Sequence, residues 1–316
     1  MVKTCGDLFM QNIAHQRSIK NRSISFSLSI MCVWVCCMIS NGVICTQRDK
    51  TNIYQVDTFD LLQQEVKTLD NNDLVIFDVD GVLLIEDDAI FGVNAENKAL
   101  WQKFFRARLS ALPSDQVKNV YSIVRQQSTC HLIDDTVVKI ITGLQEKGIK
   151  TIALTAMRTG NYGIIERLED WRFAQLKNVG IDFSSSFDLD EPLMLFPQEK
   201  YSEHALNQSR SLVFAKKGIV FAGEYSKGNV LKLFLTAVNM HPKHIIFIDD
   251  TRDCVESVAK ACEELNIEFT GFHYGGAAAI SKPVDDTVAS IQVDYLFKHK
   301  KWLSDQQAKE LMQQYA

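Results

Sequence analysis

The sequence predicts an α/β fold built on a parallel sheet, and three observations support this prediction. The run Leu74–Phe77 is apolar throughout, which is typical of a strand buried on both faces of a parallel sheet. Similar apolar runs recur at 151–155, 218–223 and 245–248, with helical patterns after them. Each run is followed by a polar or charged residue. Because open α/β sheets bind ligands at the carboxyl ends of their strands, these residues form a candidate site.

The first strand is followed by two carboxylates spaced i, i+2, Asp78 and Asp80, and then by Gly81. Carboxylates are rarely buried without partners, so a pair at a buried strand end favours a ligand site. Gly81 allows the backbone to turn sharply beside a bound group. Taken alone, the motif also fits a solvated strand end with ordinary turn residues.

The three later strands repeat this arrangement. Thr155 ends the second strand, Lys227 follows the third, and Asp249 and Asp250 end the fourth. Asp253 lies about one helical turn further on. Together these residues supply a nucleophile, a hydroxyl donor, a fixed cation and an acidic metal site, which are the groups that phosphoryl transfer requires.

The segments before the second strand are mainly helical in pattern. An amphipathic helix is expected over 57–69, with Asp57 as a cap candidate. Apolar periodicity predicts helices at 97–112 and 114–127, and a helix that opens at 133–136 and runs through Lys147. The aromatic residues of the helix at 97–112, which are Trp101, Phe104 and Phe105, either pack in an ordinary core or line the roof of a pocket.

The remaining elements follow the second strand. A helix is expected over 162–179, and 267–274 supplies a fifth strand. The stretch between them includes a predicted hairpin that turns at 216–218. The third core strand is therefore either 218–223 or 193–196, and 183–217 is a candidate second lid.

The last helix is opened by a capping box, in which Ser304 is followed three residues later by Gln307. This pattern predicts that the helix begins immediately after Ser304.

Residues 1–46 differ from the rest of the chain. Their charged residues are mostly basic, and a strongly apolar stretch of about ten residues at 30–39 has the length of a signal-peptide core. We predict that 1–46 is an export signal, so that the protein is periplasmic or secreted. The alternative is an uncleaved anchor, because 23–46 carries no charge and could just span a bilayer. The body at 47–316 forms the second predicted unit.

Composition limits the function classes. The chain has a formal net charge of −5 and a basic N-terminus, so its body is acidic and lacks the basic footprint of a nucleic-acid-binding protein. Five of the eight cysteines precede residue 46, and the other three, Cys130, Cys254 and Cys262, have neither disulfide-framework nor zinc spacing. Small phosphorylated molecules remain suitable partners. The sequence leaves the oligomeric state open.

The four segments together resemble the ordered motifs of the haloacid dehalogenase superfamily: DxDx[TV][LV], a strand-end Ser/Thr, a Lys and an acidic pair. The resemblance covers roughly residues 71–275, and Val82 stands where the superfamily more often has Thr. It implies a Rossmann-like fold of three layers, with a mainly helical cap inserted at about 85–135. The amino-acid sequence around 154–158 and 247–253 is also similar to that of an uncharacterised bacterial family of secreted or membrane-associated proteins.

The resemblance also implies a role for each residue. Asp78 would be the nucleophile, and Asp80 the general acid and base. Mg²⁺ would be held by Asp78, by the backbone carbonyl of Asp80 and by Asp249. Thr155 and Lys227 would bind the phosphate.

Two supporting residues complete this expected site. Asp250 and Asp253 would orient the water ligands of the metal or pair with Lys227. Since dehalogenase-type members lack an acid at the position of Asp80, the sequence favours a Mg²⁺-dependent phosphomonoesterase. The alternative is an inactive or weakly active member that serves as a binding or host-interaction protein.

Overall fold

The computed structural model describes residues 52–195 and 213–314. The strands in these ranges are β1 (Ile53–Val56), β2 (Leu74–Phe77), β3 (Leu84–Glu86), β4 (Cys130–Leu132), β5 (Lys150–Thr155), β6 (Leu193–Met194), β7 (Phe214–Lys216), β8 (Ile219–Phe221), β9 (His244–Asp249) and β10 (Glu268–Tyr274). The helices are α1 (Asp60–Glu65), α2 (Ala95–Trp101), α3 (Ser114–Gln127), α4 (Thr136–Glu146), α5 (Leu168–Asn178), α6 (Lys227–Ala237), α7 (Arg252–Leu265), α8 (Gly276–Ile280), α9 (Asp286–His299) and α10 (Asp305–Gln314). A π-helical segment, Gln102–Arg106, continues α2 and is followed by a further helical turn, Ala107–Leu109.

The central sheet has the strand order β1-β10-β9-β2-β5-β8-β7-β6. Strands β1, β10, β9, β2, β5 and β8 pair in parallel, and β7 and β6 add an antiparallel edge. A parallel sheet needs its connections on its faces, which is where helices pack. The predicted α/β fold with a mainly parallel sheet is therefore confirmed.

Helices cover both faces of this sheet. Successive residues of β2 point to opposite faces, so Val75 and Phe77 pack in one core cluster, and Leu74 and Ile76 pack in the other. Side chains of α1, α4 and α5 complete the first cluster, and side chains of α6 and α7 complete the second. All four residues of β2 are fully buried, which explains why its sequence is continuously apolar. The result is the expected three-layer arrangement.

The structure decides which segment is the third core strand. Strand β8 pairs in parallel with β5, whereas β6, among the described strands, pairs with β7 alone, antiparallel and at the end of the strand order. The predicted hairpin is present between β7 and β8, with Lys217 at φ 51° and Gly218 at φ 74°. Positive φ at both turn residues gives the twist that a two-residue hairpin loop needs. The candidate lid at 183–217 remains a prediction, because 196–212 lie outside the described residues.

Two predicted helices are longer than the helices in the structure. The helix expected over 57–69 is confined to α1, and the helix expected from residue 162 begins only at Leu168. Residues just before α5 bind α3 instead: the Ile164 N–H donates to Ser122 Oγ at 3.0 Å. Gly163 has φ 61°, and a Cβ there would lie 2.6 Å from the Lys118 carbonyl. Tertiary contact and a left-handed glycine therefore override the helical pattern.

The segment between β2 and β5 contains a two-stranded antiparallel pair, β3 and β4, in addition to helices. Its hydrophobic cluster is shared with the C-terminus: Phe105 is fully buried and packs with Val293, Leu296 and Trp302. Ordinary core packing is thus confirmed for Phe105. Asp88 strengthens this contact, since it accepts hydrogen bonds from Trp302 Nε1 and from the Asp305 N–H, both at 2.7 Å.

The C-terminal helix begins as predicted. The Ser304 N–H donates to Gln307 Oε1 at 3.0 Å, and the Gln307 N–H donates to Ser304 Oγ at 3.2 Å. These reciprocal bonds form the capping box that opens α10.

The predicted export signal or anchor at 1–46 lies outside the described residues. Among residues 52–195 and 213–314, none of the helices combines the length and the apolar character that crossing a bilayer requires.

Candidate active site at the carboxyl edge of the sheet

The predicted site residues meet at one edge of the sheet because four neighbouring strands end there. Asp78 follows β2, Thr155 ends β5, Lys227 opens α6 after β8, and Asp249 ends β9. The sheet order places β2 between β9 and β5, so Asp78 lies at the centre of this edge. The position is fixed by the backbone, since the Asp78 N–H donates to the Ile248 carbonyl at 2.8 Å.

Lys227 bridges the two central carboxylates. Its Nζ lies 2.7 Å from Asp78 Oδ1 and 2.6 Å from Asp249 Oδ2, and the side chains of all three are nearly or fully buried. Burial alone would lower the pKa of the Lys227 amine, but the attraction of Asp249 and Asp78 exceeds this effect and raises it. Lys227 is therefore a fixed cation within the site.

Asp250 completes an acidic cluster with Asp78 and Asp249. One oxygen from each of the three carboxylates lies within 4.8 Å of the others. Gly81 allows this approach: it has φ +86°, and a Cβ at this position would lie 2.6 Å from Asp250 Oδ2. A side chain at residue 81 would therefore displace Asp250, which explains why the motif requires glycine.

The three carboxylates carry more negative charge than Lys227 neutralises. Burial raises the pKa of Asp78 to about 7, and burial also raises the pKa values of Asp249 and Asp250 to about 6. Three oxygens in one cluster are ligands that a hard divalent cation such as Mg²⁺ prefers. The donor set therefore fits a Mg²⁺ site, in which the added positive charge would stabilise the ionised carboxylates.

Thr155 ends β5, the strand that pairs in parallel with β2, and is buried at the same edge. Its Oγ accepts a hydrogen bond from the Met157 N–H at 3.1 Å, and its carbonyl accepts one from the Ala222 N–H at 2.8 Å. The hydroxyl oxygen accepts this hydrogen bond, so the hydroxyl proton is not used in it. That proton is suited to be donated to a phosphate oxygen.

The structure corrects one of the two roles expected of the supporting acids, which is pairing with Lys227. Neither Asp250 nor Asp253 pairs with Lys227, whose ion-pair partners are Asp78 and Asp249. Asp253 is exposed on the first turn of α7 and lies outside the acidic cluster. The turn between β9 and α7 explains the difference: the Thr251 N–H donates to Asp249 Oδ1 at 2.8 Å, so the chain leaves the site before residue 253.

Asp80 has an ion-pair partner that the sequence analysis did not identify. Arg172 Nη2 donates to both carboxylate oxygens of Asp80 at 2.7 Å. Although the surrounding protein opposes ionisation, the Arg172 guanidinium holds the pKa of Asp80 below its usual value. The ionised form of Asp80 is therefore favoured.

Two further charged residues lie near this pair. Burial, together with the charge of Asp80, raises the pKa of Glu86 on β3 to about 7. The positive charge of Arg125, on α3, acts in the opposite direction on both carboxylates. Arg125 also lies over the ring of Tyr162, with its Cζ 5.7 Å from the ring centre. The segment between β2 and β5 thus contributes charged groups to the edge of the site.

A signal for Arg172 was present in the sequence. Leu168, Arg172 and Leu176 are spaced i, i+4, i+8, and all three are buried on one stripe of α5. A charged residue within an apolar stripe indicates a buried partner, because an arginine is almost never buried alone. The pattern predicts that a partner exists but does not say which carboxylate it is.

Comparison with known proteins gives three matches of note. An uncharacterized protein of Rickettsia prowazekii is 21% identical over 259 residues, which are 82% of this chain and 89% of that protein. A protein of Chlamydia trachomatis serovar D is 22% identical over 255 residues, which are 79% of this chain and 86% of that protein. Its name provisionally describes it as an outer membrane protein. The solved structure of a haloacid dehalogenase-like hydrolase from Streptococcus pneumoniae is 14% identical with a TM-score of 0.33, covering 66% of this chain and 90% of that one.

A family model matches residues 55–309, which include every residue of the candidate site. The chain belongs to the family described as "Protein of unknown function (DUF2608)".

Proposed function

We propose that this protein is a Mg²⁺-dependent phosphomonoesterase of the haloacid dehalogenase type. The observation that carries the proposal is the buried group of Asp78, Lys227 and Asp249, closed by Asp250, at the carboxyl edge of a parallel sheet. A carboxylate nucleophile, a fixed cation and a cluster of metal-ligand oxygens are the components of aspartate-based phosphoryl transfer. Thr155 and Asp80 supply the hydroxyl donor and the acid/base group beside them.

In the first step, an oxygen of Asp78 attacks phosphorus and the bond to the ester oxygen breaks. Lys227 holds Asp78 Oδ1, which fixes the orientation of this carboxylate and leaves Oδ2 for the attack. The leaving oxygen takes a proton from Asp80, which is ionised at rest and first receives that proton from the monoanionic phosphate ester, while Thr155 and Lys227 stabilise charge on the transferring group.

In the second step, Asp80 removes a proton from the water that attacks the phosphorylated Asp78, and phosphate leaves. The ion pair with Arg172 favours the ionised form of Asp80 that this step needs. Asp78, Asp249 and Asp250 would hold Mg²⁺, which when bound supplies positive charge that offsets repulsion between the carboxylates and the phosphate.

The proposal is tested by assaying the purified protein against a panel of phosphate monoesters, with and without Mg²⁺. Turnover that requires Mg²⁺ on at least one ester supports the assignment. An inactive protein that still binds Mg²⁺ would instead favour a binding role for the same site.

The metal requirement gives a second expected result. Chelation should abolish turnover and Mg²⁺ should restore it, and Mg²⁺ should raise the melting temperature, because a cation that binds only the folded state stabilises it. Asp249→Asn should raise the Mg²⁺ concentration needed for half-maximal activity by more than about tenfold, since loss of even an outer-shell partner has an effect of this order.

Asp253→Asn is the matched control for Asp249→Asn. It removes the same charge four residues later, from an exposed side chain outside the cluster, and should leave the Mg²⁺ requirement unchanged. Full activity of the unaltered protein in chelator, or an equal effect of both substitutions, would contradict the metal site.

We also propose that the protein is exported. The apolar stretch at 30–39 after a basic segment supports this, as does the name given to the related protein of Chlamydia trachomatis. A reporter that is active only outside the cytoplasm, fused after Thr46, should be active, and charges introduced at Val33 and Val35 should abolish its activity. An inactive fusion that is soluble and begins at Met1 would contradict export.

A further inference from the structure

Arg172 is buried at a point where each of its guanidinium nitrogens has a partner. Its side chain is only 3% exposed. Besides the contacts of Nη2 with Asp80, Nη1 donates to Gln175 Oε1 at 2.6 Å, and Nε donates to Met157 Sδ at 3.4 Å. The face of Trp171 lies 5.3 Å from Cζ. The guanidinium is therefore held rigidly and is inaccessible to a substrate.

The carboxylate that Arg172 holds is much more exposed. The Asp80 side chain retains 59% of its accessible surface, and it extends from the turn after β2 rather than from a packed strand. An exposed aspartate in a turn would ordinarily sample several rotamers. The rigid Arg172 contact restricts this freedom while leaving the rest of the carboxylate open to the site.

The same guanidinium also contacts the loop that carries the phosphate-binding hydroxyl. Met157, whose sulfur accepts from Arg172 Nε, donates its own N–H to Thr155 Oγ. Arg172 therefore connects the loop after β5 with the turn after β2. An ordinary core position on α5 would hold an apolar residue, and a buried ion pair is seldom more stable than such a residue. Stability alone therefore does not account for an arginine here.

We propose that Arg172 is a positioning residue that fixes the direction of the Asp80 carboxylate for proton transfer during phosphomonoester hydrolysis. The inference rests on the proposed function, because Asp80 acts on the leaving group and on water only in that reaction. A misplacement of about 1 Å can reduce the rate of a catalysed step by about 10²-fold, so a contact that fixes the orientation of Asp80 affects the rate of proton transfer.

The kinetic test is a double-mutant cycle with Arg172→Met and Asp80→Asn, using p-nitrophenyl phosphate and Mg²⁺. Arg172→Met should lower kcat by about 10²-fold with less than about a twofold change in KM. In the Asp80→Asn background, it should lower kcat no further, because the carboxylate that it positions is already absent. Arg172→Lys, which retains a donor, should recover part of kcat.

Arg167→Met is the matched control, since Arg167 is a half-exposed arginine just before α5 that pairs with Glu169 and Asp170. It should leave kcat unchanged. Equal losses of kcat from Arg172→Met in both backgrounds would overturn the inference, since a purely structural role predicts additive effects.

A second readout does not depend on activity. Crystal structures of the unaltered protein and of Arg172→Met should show one Asp80 orientation in the first and a rotated or divided carboxylate in the second. If Arg172→Met does not fold, Arg172→Gln takes its place in this comparison. An unchanged Asp80 orientation would overturn the positioning role, whereas an unaltered protein that hydrolyses no phosphate ester would overturn the proposed function only.

Discussion

Asp78→Asn is expected to abolish turnover while leaving the fold intact. The amide has nearly the shape of the carboxylate but cannot attack phosphorus, and loss of a covalent nucleophile typically lowers kcat by several orders of magnitude. The assay is hydrolysis of the best ester in the panel, with folding checked by circular dichroism. More than about a tenth of the original activity in the variant would contradict the covalent mechanism.

Asp70→Asn is the matched control, because Asp70 is an exposed aspartate that precedes the amino end of the same strand. This substitution removes the same charge at the opposite edge of the sheet and should leave kcat unchanged. Acid quenching of the unaltered protein during turnover should also trap phosphate on Asp78. Phosphate on another residue would contradict the assignment of the nucleophile.

Asp78→Asn also has an expected effect on the free energy of unfolding in metal-free buffer. Burial raises the folded-state pKa of Asp78 from an ordinary value of 3.8 to about 7. Protons therefore bind the folded protein more tightly than the unfolded protein, so the contribution of Asp78 to stability is present at low pH and is lost as the pH rises through about 7. Asp78→Asn should be at least as stable as the unaltered protein at pH 8, because Lys227 keeps Asp249 as a partner.

Lys227→Met is expected to destabilise the protein strongly in the absence of metal. It removes the only cation in contact with Asp78 and Asp249 among the described residues, and leaves two buried carboxylates facing each other. Removing one partner of a buried ion pair typically lowers the free energy of unfolding by about 3–5 kcal/mol. Activity should also be lost, because no other group neutralises the transferring phosphate in the same way.

Mg²⁺ and low pH should both reduce this defect. Either one adds positive charge to the carboxylates that Lys227 otherwise neutralises. The free energies of unfolding of Lys227→Met and the unaltered protein, measured by chemical unfolding, should therefore differ most at pH 8 in chelator. Lys232→Met, on the same helix, removes a lysine paired with Glu264 at the surface and should change the free energy of unfolding by less than about 1 kcal/mol. Equal stabilities of the two variants in chelator would contradict the buried bridge.

The sequence was sufficient to predict β2, β5 and β9, which are three of the four strands that carry the site. A strand buried on both faces is recognisable from its apolar run, and ligand sites of parallel sheets lie at the carboxyl ends of the strands. Asp78, Thr155, Lys227 and Asp249 could therefore be assigned to one edge without knowledge of the strand order. The capping box at Ser304 was equally predictable, because both of its partners lie within four residues.

Strand β1 shows where local pattern is too weak. Ile53 is buried, Gln55 is exposed and the two other residues are half-buried, so the strand has no clear apolar run. Pairing with β10, more than 200 residues later, defines it as a strand. The choice between residues 193–196 and 218–223 was undetermined for the same reason. Both runs are apolar, and only the parallel register with β5 distinguishes the core strand from the edge.

The chemical groups of the site and their order could be read from the amino-acid sequence, because they follow from local hydrophobicity and strand geometry. The pairing of the charged side chains, in contrast, depends on the folded arrangement of the chain. Lys227 faces Asp78 and Asp249 rather than Asp253, and Arg172 holds Asp80 across 92 residues of chain. Ion pairs act over a few ångströms in space, so they depend on how the sheet and helices pack and not on distance along the sequence.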